Sequence, residues 1–277
     1  MKVFEKNKTL IKFLSSQKKD VKIGLVPTMG ALHEGHISLI EESKKKCDLT
    51  ICSIFVNPTQ FNDKEDYINY PKDLGADLKI LENVKCDLVY TPNYLDLYKK
   101  NEKQKKFNHN GLDKILEGKF RPGHFNGVAT VVEKLLNITQ PKFAFFGEKD
   151  IQQLCVVKQL VENKKIKTKI IGCPTIRERN GLAKSSRNQL LSKDGFEKSA
   201  IIYKQLLFCK NNFTKYSINE MKEVVVNNLS NINIQLDYFE FVDFNSFTIQ
   251  DKKHEGLQYA ACIAVVISGI RLIDNII

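Results

Sequence analysis

Two of the chain's five histidines, His33 and His36, stand three residues apart in PTMGALHEGH, with Gly35 between them and Gly30 just before. The residues ahead of them, from Lys22 to Val26, are apolar and strand-like, and those after, from Ile37, have helical periodicity. Pro27 removes a ladder donor and so ends the strand, and Gly30 permits a tight turn. A helix that opens at HEGH offers free backbone N–H groups and the positive end of its dipole, a natural seat for phosphate. Histidines at i and i+3 share one helix face and can both donate to phosphoryl oxygens. As metal ligands they number only two, and the zinc-protease spacing H-E-x-x-H is not matched. An ordinary strand–turn–helix with two surface histidines is the competing reading, and this loop by itself does not exclude it.

Other loops repeat the chemistry. RPGHFN places Arg121, His124 and Asn126 around a Pro–Gly bend before an apolar helix. FFGEKDIQQ ends an apolar run in Gly147 and follows it with Lys149 and Asp150 at a helix start, Gln152 and Gln153 just inside. A lysine beside a helix N-terminus is a good phosphate partner. KSSRN, Lys184 to Asn188, collects a lysine, two hydroxyls and an arginine on a polar loop that could close over a triphosphate. In FVNPTQF, Asn57 and Gln60 suit a hydroxyl- or carboxylate-bearing substrate, or else plain turn chemistry. The acidic residues of EDYINYPKDLGADL could hold magnesium, although capping the next helix is the favoured reading. No Walker A sequence, serine elbow or cysteine–histidine dyad is apparent, and no G-x-G-x-x-G follows the first strand. Phosphates held without a P-loop are compatible with nucleotidyl transfer. There an enzyme aligns an attack on the α-phosphate and neutralises charge growing on pyrophosphate.

These loops need elements to aim them. Strands are expected over residues 22–26, 49–55, 88–90, 143–146 and 167–172, alternating with helices over 37–46, 74–82, 127–137 and 151–163. That alternation implies βαβ units and a parallel sheet, whose ligands bind at the carboxyl ends of the strands. After Cys173 comes a polar, turn-rich stretch, then helices over 195–210 and 218–229 and strands over 236–242, 258–268 and 270–273. Ser217 with Glu220 is a capping box for the second of these helices. The reading is an α/β domain over 1–178 and a smaller α+β domain over 179–277, with no internal repeat.

A length of 277 residues with 42% hydrophobic content suits this size of core. Lys plus Arg exceed Asp plus Glu by 43 to 32, giving +11, but the lysines are scattered from end to end. A basic RNA-binding protein would need a one-sided lysine and aromatic surface, so nucleic acid is not expected as a partner. The densest run, residues 99–106, reads as an exposed loop. Seven cysteines without a C-x-x-C pair read as reduced, buried thiols. No secretory segment opens the sequence and no apolar run is long enough to span a membrane. The expectation is a cytoplasmic protein with no membrane partner.

H-x-G-H after a first strand, with a K-x-S-like loop downstream, resembles the nucleotidyltransferase superfamily that includes class I aminoacyl-tRNA synthetases. The resemblance narrows with PTMGALHEGH, FVNPTQF, YP at Tyr70, RPGHFNGV, FFGEKDIQQ, PTIRE, GL-x-x-SSRN and RLIDN. Together, and in this order, they resemble the pantothenate synthetase (pantoate–β-alanine ligase) family. The resemblance implies a Rossmann-like N-terminal domain, a C-terminal lid, a homodimer, and ATP with Mg2+ for joining pantoate to β-alanine through pantoyl adenylate. It implies that His33, His36, Lys149, Ser185, Ser186 and Arg187 handle the ATP phosphates. Pro27, Met29, Gly30, Gly147, Asp150, Ile176 and Lys184 would complete the ATP site. Met29, Gln60, Arg121, His124 and Gln153 would hold pantoate. A different adenylyl- or cytidylyltransferase of the superfamily would share H-x-G-H without needing RPGHF and two substrate glutamines. Two departures stand out. Lys184 replaces the family's usual Met and either strengthens ATP contacts or points to solvent, the second being expected. The acidic stretch is thin, leaving Asp77 as the metal candidate.

Overall fold

The computed structural model describes residues 1–100, 102 and 105–277. Of the lysine-rich run expected as an exposed loop, residues 101, 103 and 104 lie outside the described residues. The chain divides into two compact units, Met1–Glu148 with Gln152–Pro174, and Lys149–Ile151 with Thr175–Ile277.

In chain order, the elements of the first stretch are β1 (Lys2–Phe4), α1 (Asn7–Ser15), β2 (Ile23–Thr28), α2 (Glu34–Lys46) and β3 (Leu49–Ile54). Then come α3 (Lys64–Asn69), α4 (Leu74–Asn83), β4 (Leu88–Tyr90), α5 (Tyr94–Leu97) and α6 (Leu116–Phe120). α7 (His124–Thr139), β5 (Phe143–Gly147), α8 (Ile151–Asn163) and β6 (Lys169–Cys173) follow. The six strands form one sheet in the order β1-β4-β3-β2-β5-β6, and every paired neighbour runs parallel. Leu25 and Val26 of β2, Ile51 and Cys52 of β3, and Ala144 and Phe145 of β5 are fully buried. Strands covered on both faces have no polar side to show, which is why they read as unbroken apolar runs. Each large side chain so buried contributes about 1.5–3 kcal/mol.

The order matters for function. From β2 the chain steps to β3 on one side, while β5 joins β2 on the other, in register Gly24↔Phe143 and Leu25↔Ala144. The carboxyl ends of β2 and β5 therefore flank a topological switch point, the place where open parallel sheets bind ligands.

The second unit contains α9 (Lys193–Asn212), α10 (Ile218–Ser230), β7 (Gln235–Asp243), β8 (Tyr259–Ile267) and β9 (Ile270–Ile276). The strands form an antiparallel sheet in the order β7-β8-β9. Ile202, Leu206, Met221 and Val225 of the helices share its core with Phe241, Ile263 and Val265 of the sheet. Ser217 and Glu220 form the expected capping box of α10. The structure adds β1, α1 and the short helices α3, α5 and α6 to the expected elements, extends β9 to Ile276, and starts α7 at His124 rather than at residue 127.

Candidate active site

The loop after β2 is a tight turn held by a buried carboxylate. Gly30, at φ +81°, and Ala31, at φ +50°, turn the chain back on itself. A Cβ on Gly30 would come within 2.8 Å of Asp77 Oδ2, so both the conformation and the space call for glycine. Asp77, on α4, accepts from Leu32 N at 2.7 Å and Ala31 N at 3.0 Å. Burial pushes its carboxyl above the ordinary aspartate range, against those two backbone N–H bonds. The residue expected to hold magnesium is thus turned into the protein, and its oxygens fix the turn ahead of His33. Among the described residues no group of three or more His, Cys, Asp and Glu is placed to hold a metal ion. Among the described residues, the side chains present do not form a site for a resident cation.

His33 is the N-cap of α2 and His36 its third residue, and they form a reciprocal capping box. His33 Nδ1 accepts from Gly35 N at 3.1 Å, and His36 Nδ1 accepts from His33 N at 3.3 Å. The rings lie 4.1 Å apart between centroids. An imidazole whose Nδ1 accepts carries its proton on Nε2. Both histidines are thereby set as Nε2–H donors at a helix N-terminus on the switch point.

A second network joins this loop to two others. In the 3-10 turn Pro58–Gln60, Gln60 Nε2 donates to Met29 Sδ at 3.0 Å. Its Oε1 accepts from Asn57 Nδ2 at 3.1 Å. His124 Nδ1 lies 2.8 Å from the Gln60 carbonyl oxygen, and its Nε2 lies 3.2 Å from Arg121 NH1. A carbonyl only accepts and a guanidinium only donates, so His124 carries its proton on Nδ1, the opposite tautomer to His33 and His36. Four residues predicted for pantoate, Met29, Gln60, Arg121 and His124, are in one hydrogen-bonded chain. Gln153 sits partly exposed in the first turn of α8, while its neighbour Gln152 is buried and bonded to Glu117 N, Leu112 O and Ile115 O.

Asn57, read from sequence as substrate-facing or turn-forming, is 1% exposed and belongs to the support. It also donates to Gly127 O at 3.2 Å and accepts from Tyr98 OH at 2.8 Å. Tyr98 was not foreseen. It is buried, its hydroxyl pKa pushed up to about 12 chiefly by burial, so it stays a donor to Asn57. No local pattern marks it; only the fold brings it to the Asn57 turn.

In the second unit, Arg177 and Ala183 pair as an antiparallel bridge, with Lys184 N donating to Ile176 O at 2.9 Å. This hairpin carries Ile176 on one arm and leads on the other into Ser185 and the 3-10 turn Ser186–Leu190. Ser185 Oγ accepts from Arg187 N at 3.3 Å. Lys184 does not point to open solvent as expected: its Nζ lies 2.9 Å from Glu178 Oε2 and the pair is largely buried. Lys149 Nζ lies 3.3 Å from Asp150 Oδ1.

All seven cysteines are free; Cys52, Cys86, Cys173, Cys209 and Cys262 are buried, and Cys47 and Cys155 partly so. No described helix is long and apolar enough to cross a membrane.

Residues 2–277 match the family described as Pantoate-beta-alanine ligase. The chain is 45% identical, over its whole length and 99% of the relative, to the pantothenate synthetase of Flavobacterium psychrophilum. It is 44% identical, over its whole length and 99% of the relative, to that of Christiangramia forsetii. The solved pantothenate synthetase of Thermus thermophilus is 34% identical with a TM-score of 0.92, covering 100% of this chain and 99% of that one. A pantoate-beta-alanine ligase of Francisella tularensis, solved with beta-gamma ATP and beta-alanine, is 39% identical with a TM-score of 0.84, covering 100% and 97%. The chain belongs to the pantoate–β-alanine ligase family.

Proposed function

We propose that this chain joins pantoate to β-alanine with ATP in two steps. Pantoate's carboxylate attacks the α-phosphorus, forming pantoyl adenylate as pyrophosphate leaves. The β-alanine amine then attacks the acyl carbon, forming the amide of pantothenate as AMP leaves. The observation that carries this reading is the histidine pair at the switch point, whose Nδ1 atoms are both occupied by backbone N–H groups. Two Nε2–H donors at a helix N-terminus suit an anion, and they cost no reorganisation as charge grows on pyrophosphate.

In this reading His33, His36, Lys149, Ser185, Ser186 and Arg187 hold the phosphates. Pro27, Met29, Gly30, Gly147, Asp150 and Ile176 line the rest of the nucleotide, and Lys184 acts from within its pair with Glu178. Met29, Gln60, Arg121, His124 and Gln153 take pantoate. The Met29–Gln60–His124–Arg121 chain supports that assignment, since it offers an apolar thioether, an amide and a cation together. Residues 1–178 serve as the nucleotide- and pantoate-binding domain and 179–277 as the lid. Mg2+ would arrive on the ATP phosphates, and no step is routed through a protein-held ion. Homodimeric assembly rests on the sequence resemblance, and a cytoplasmic location on cysteines read as reduced and on the sequence's lack of a secretory or spanning segment.

The test is a substrate-omission assay on the purified protein. AMP and pyrophosphate are expected from ATP only with pantoate present, and pantothenate only when β-alanine is added. AMP release that continues unchanged without pantoate would overturn the assignment.

A further inference from the structure

Two adjacent residues in the second unit, Asp274 and Asn275, reach two segments that carry proposed ATP contacts. Asp274, near the end of β9, has a fully buried side chain. Its Oδ2 accepts from Arg177 NH1 at 2.6 Å and its Oδ1 from Arg177 NH2 at 3.1 Å, a bidentate fork. The same guanidinium donates to Gly181 O at 3.1 Å and to Asn275 O at 2.9 Å, and lies 4.0 Å from the centre of the Tyr203 ring. Arg177 is thus pinned by both sides of its hairpin and by β9. Successive residues of a strand project to opposite faces. Asn275, next along β9, sends its Nδ2 to the Lys149 carbonyl oxygen at 2.9 Å, while its own N–H donates to Asp274 Oδ1 at 2.7 Å. The register of β9 on β8, Asp274↔Ile263 and Asn275↔Cys262, fixes both.

A buried ion pair returns little stability over an apolar pair of the same shape. What it does give is a fixed geometry between the segments it touches. We propose that Asp274 and Asn275 are positioning residues for ATP. Asp274 works through Arg177 on the hairpin that leads to Ser185 and Arg187, and Asn275 works through the backbone of Lys149. The inference rests on the proposed phosphate role of Lys149.

Steady-state kinetics on five full-length variants tests it: Asn275→Leu, Asn275→Ala, Lys149→Ala, Asn275→Leu combined with Lys149→Ala, and Arg177→Lys. Leucine keeps the branched outline of asparagine, in a larger volume, and removes the donor. Asn275→Leu is expected to raise KM for ATP about tenfold, with KM for pantoate and β-alanine within about twofold of the parent. In the Lys149→Ala background the same change is expected to move KM for ATP by less than about twofold, since residues acting as a unit are not additive. If Asn275→Leu is recovered unfolded, Asn275→Ala is read in the same way. Arg177→Lys, which keeps the charge and gives up the fork, is expected to raise KM for ATP selectively too. Equal shifts with and without Lys149, or a parallel rise for all three substrates, would overturn the inference while leaving the Lys149 reading standing. Unchanged ATP kinetics in Lys149→Ala alone would overturn both.

Discussion

At the scale of single residues, His36 has two separable tasks. Its Nδ1 closes the capping box by accepting from His33 N, and its Nε2–H is the proposed phosphate donor. Asparagine can place its side-chain oxygen near the Nδ1 position but has nothing at Nε2. His36→Asn is therefore expected to keep the melting temperature while slowing pantoate-dependent pyrophosphate release by about 10²–10³, the scale of losing one donor to developing charge. His36→Ala should add a stability loss of about 1 kcal/mol from the lost cap. Thermal melts and pyrophosphate release read the two effects apart. A His36→Asn enzyme of undiminished rate would show that the ring serves the helix and not the nucleotide. Lys184 shows the limit of arguing one residue at a time. Its charge is visible in KSSRN, but the partner that absorbs that charge, Glu178, is set by the hairpin.

At the scale of elements, the contact between α7 and the Pro58–Gln60 turn governs the residues proposed for pantoate. Gly127 touches the turn so closely that a Cβ there would lie 2.4 Å from Thr59 O and 2.7 Å from Gln60 Cα. Those neighbours are backbone and cannot swing aside. Gly127→Ala is expected to cost about 1–3 kcal/mol by overpacking, and to raise KM for pantoate more than KM for ATP, because Gln60 and His124 straddle that contact. A melt and two KM titrations measure it; an alanine variant with parental stability and parental pantoate KM would contradict the close approach. The expected helix over 127–137 already began at this glycine, and α7 extends it back to His124. Glycine is a poor helix former, and only the tertiary approach of the turn shows why it lies inside the helix. β2, β3, β4 and β5 were legible because strands buried on both faces have one composition throughout. β1 was not, since Lys2 and Val3 are exposed and its three residues become a strand only beside β4.

At the scale of the whole molecule, legibility follows sequence separation. The loops proposed for anions stand out in the sequence because strand, turn and donor are contiguous. Their supports did not: Asp77 lies 45 residues from Leu32, Asp274 lies 97 from Arg177, and Asn275 lies 126 from Lys149. Net charge is the one global property readable without a fold, and its consequence here is kinetic. The chain carries +11. Scattered lysines make no nucleic-acid groove, but they still set a positive field around the molecule, and ATP is its most highly charged small substrate. Such a field raises the encounter rate of polyanions and is screened by salt, with a Debye length of about 30 Å at 0.01 M falling to about 8 Å at 0.15 M. Raising KCl across that range at fixed free Mg2+ is therefore expected to lower kcat/KM for ATP severalfold. Pantoate, with a single charge, should lose less, and β-alanine, a zwitterion at neutral pH, least of all. The ordering separates steering from general inhibition by salt. If kcat/KM for all three substrates declines by one common factor, the field of the whole molecule has no part in capturing ATP, and the positive charge serves solvation alone.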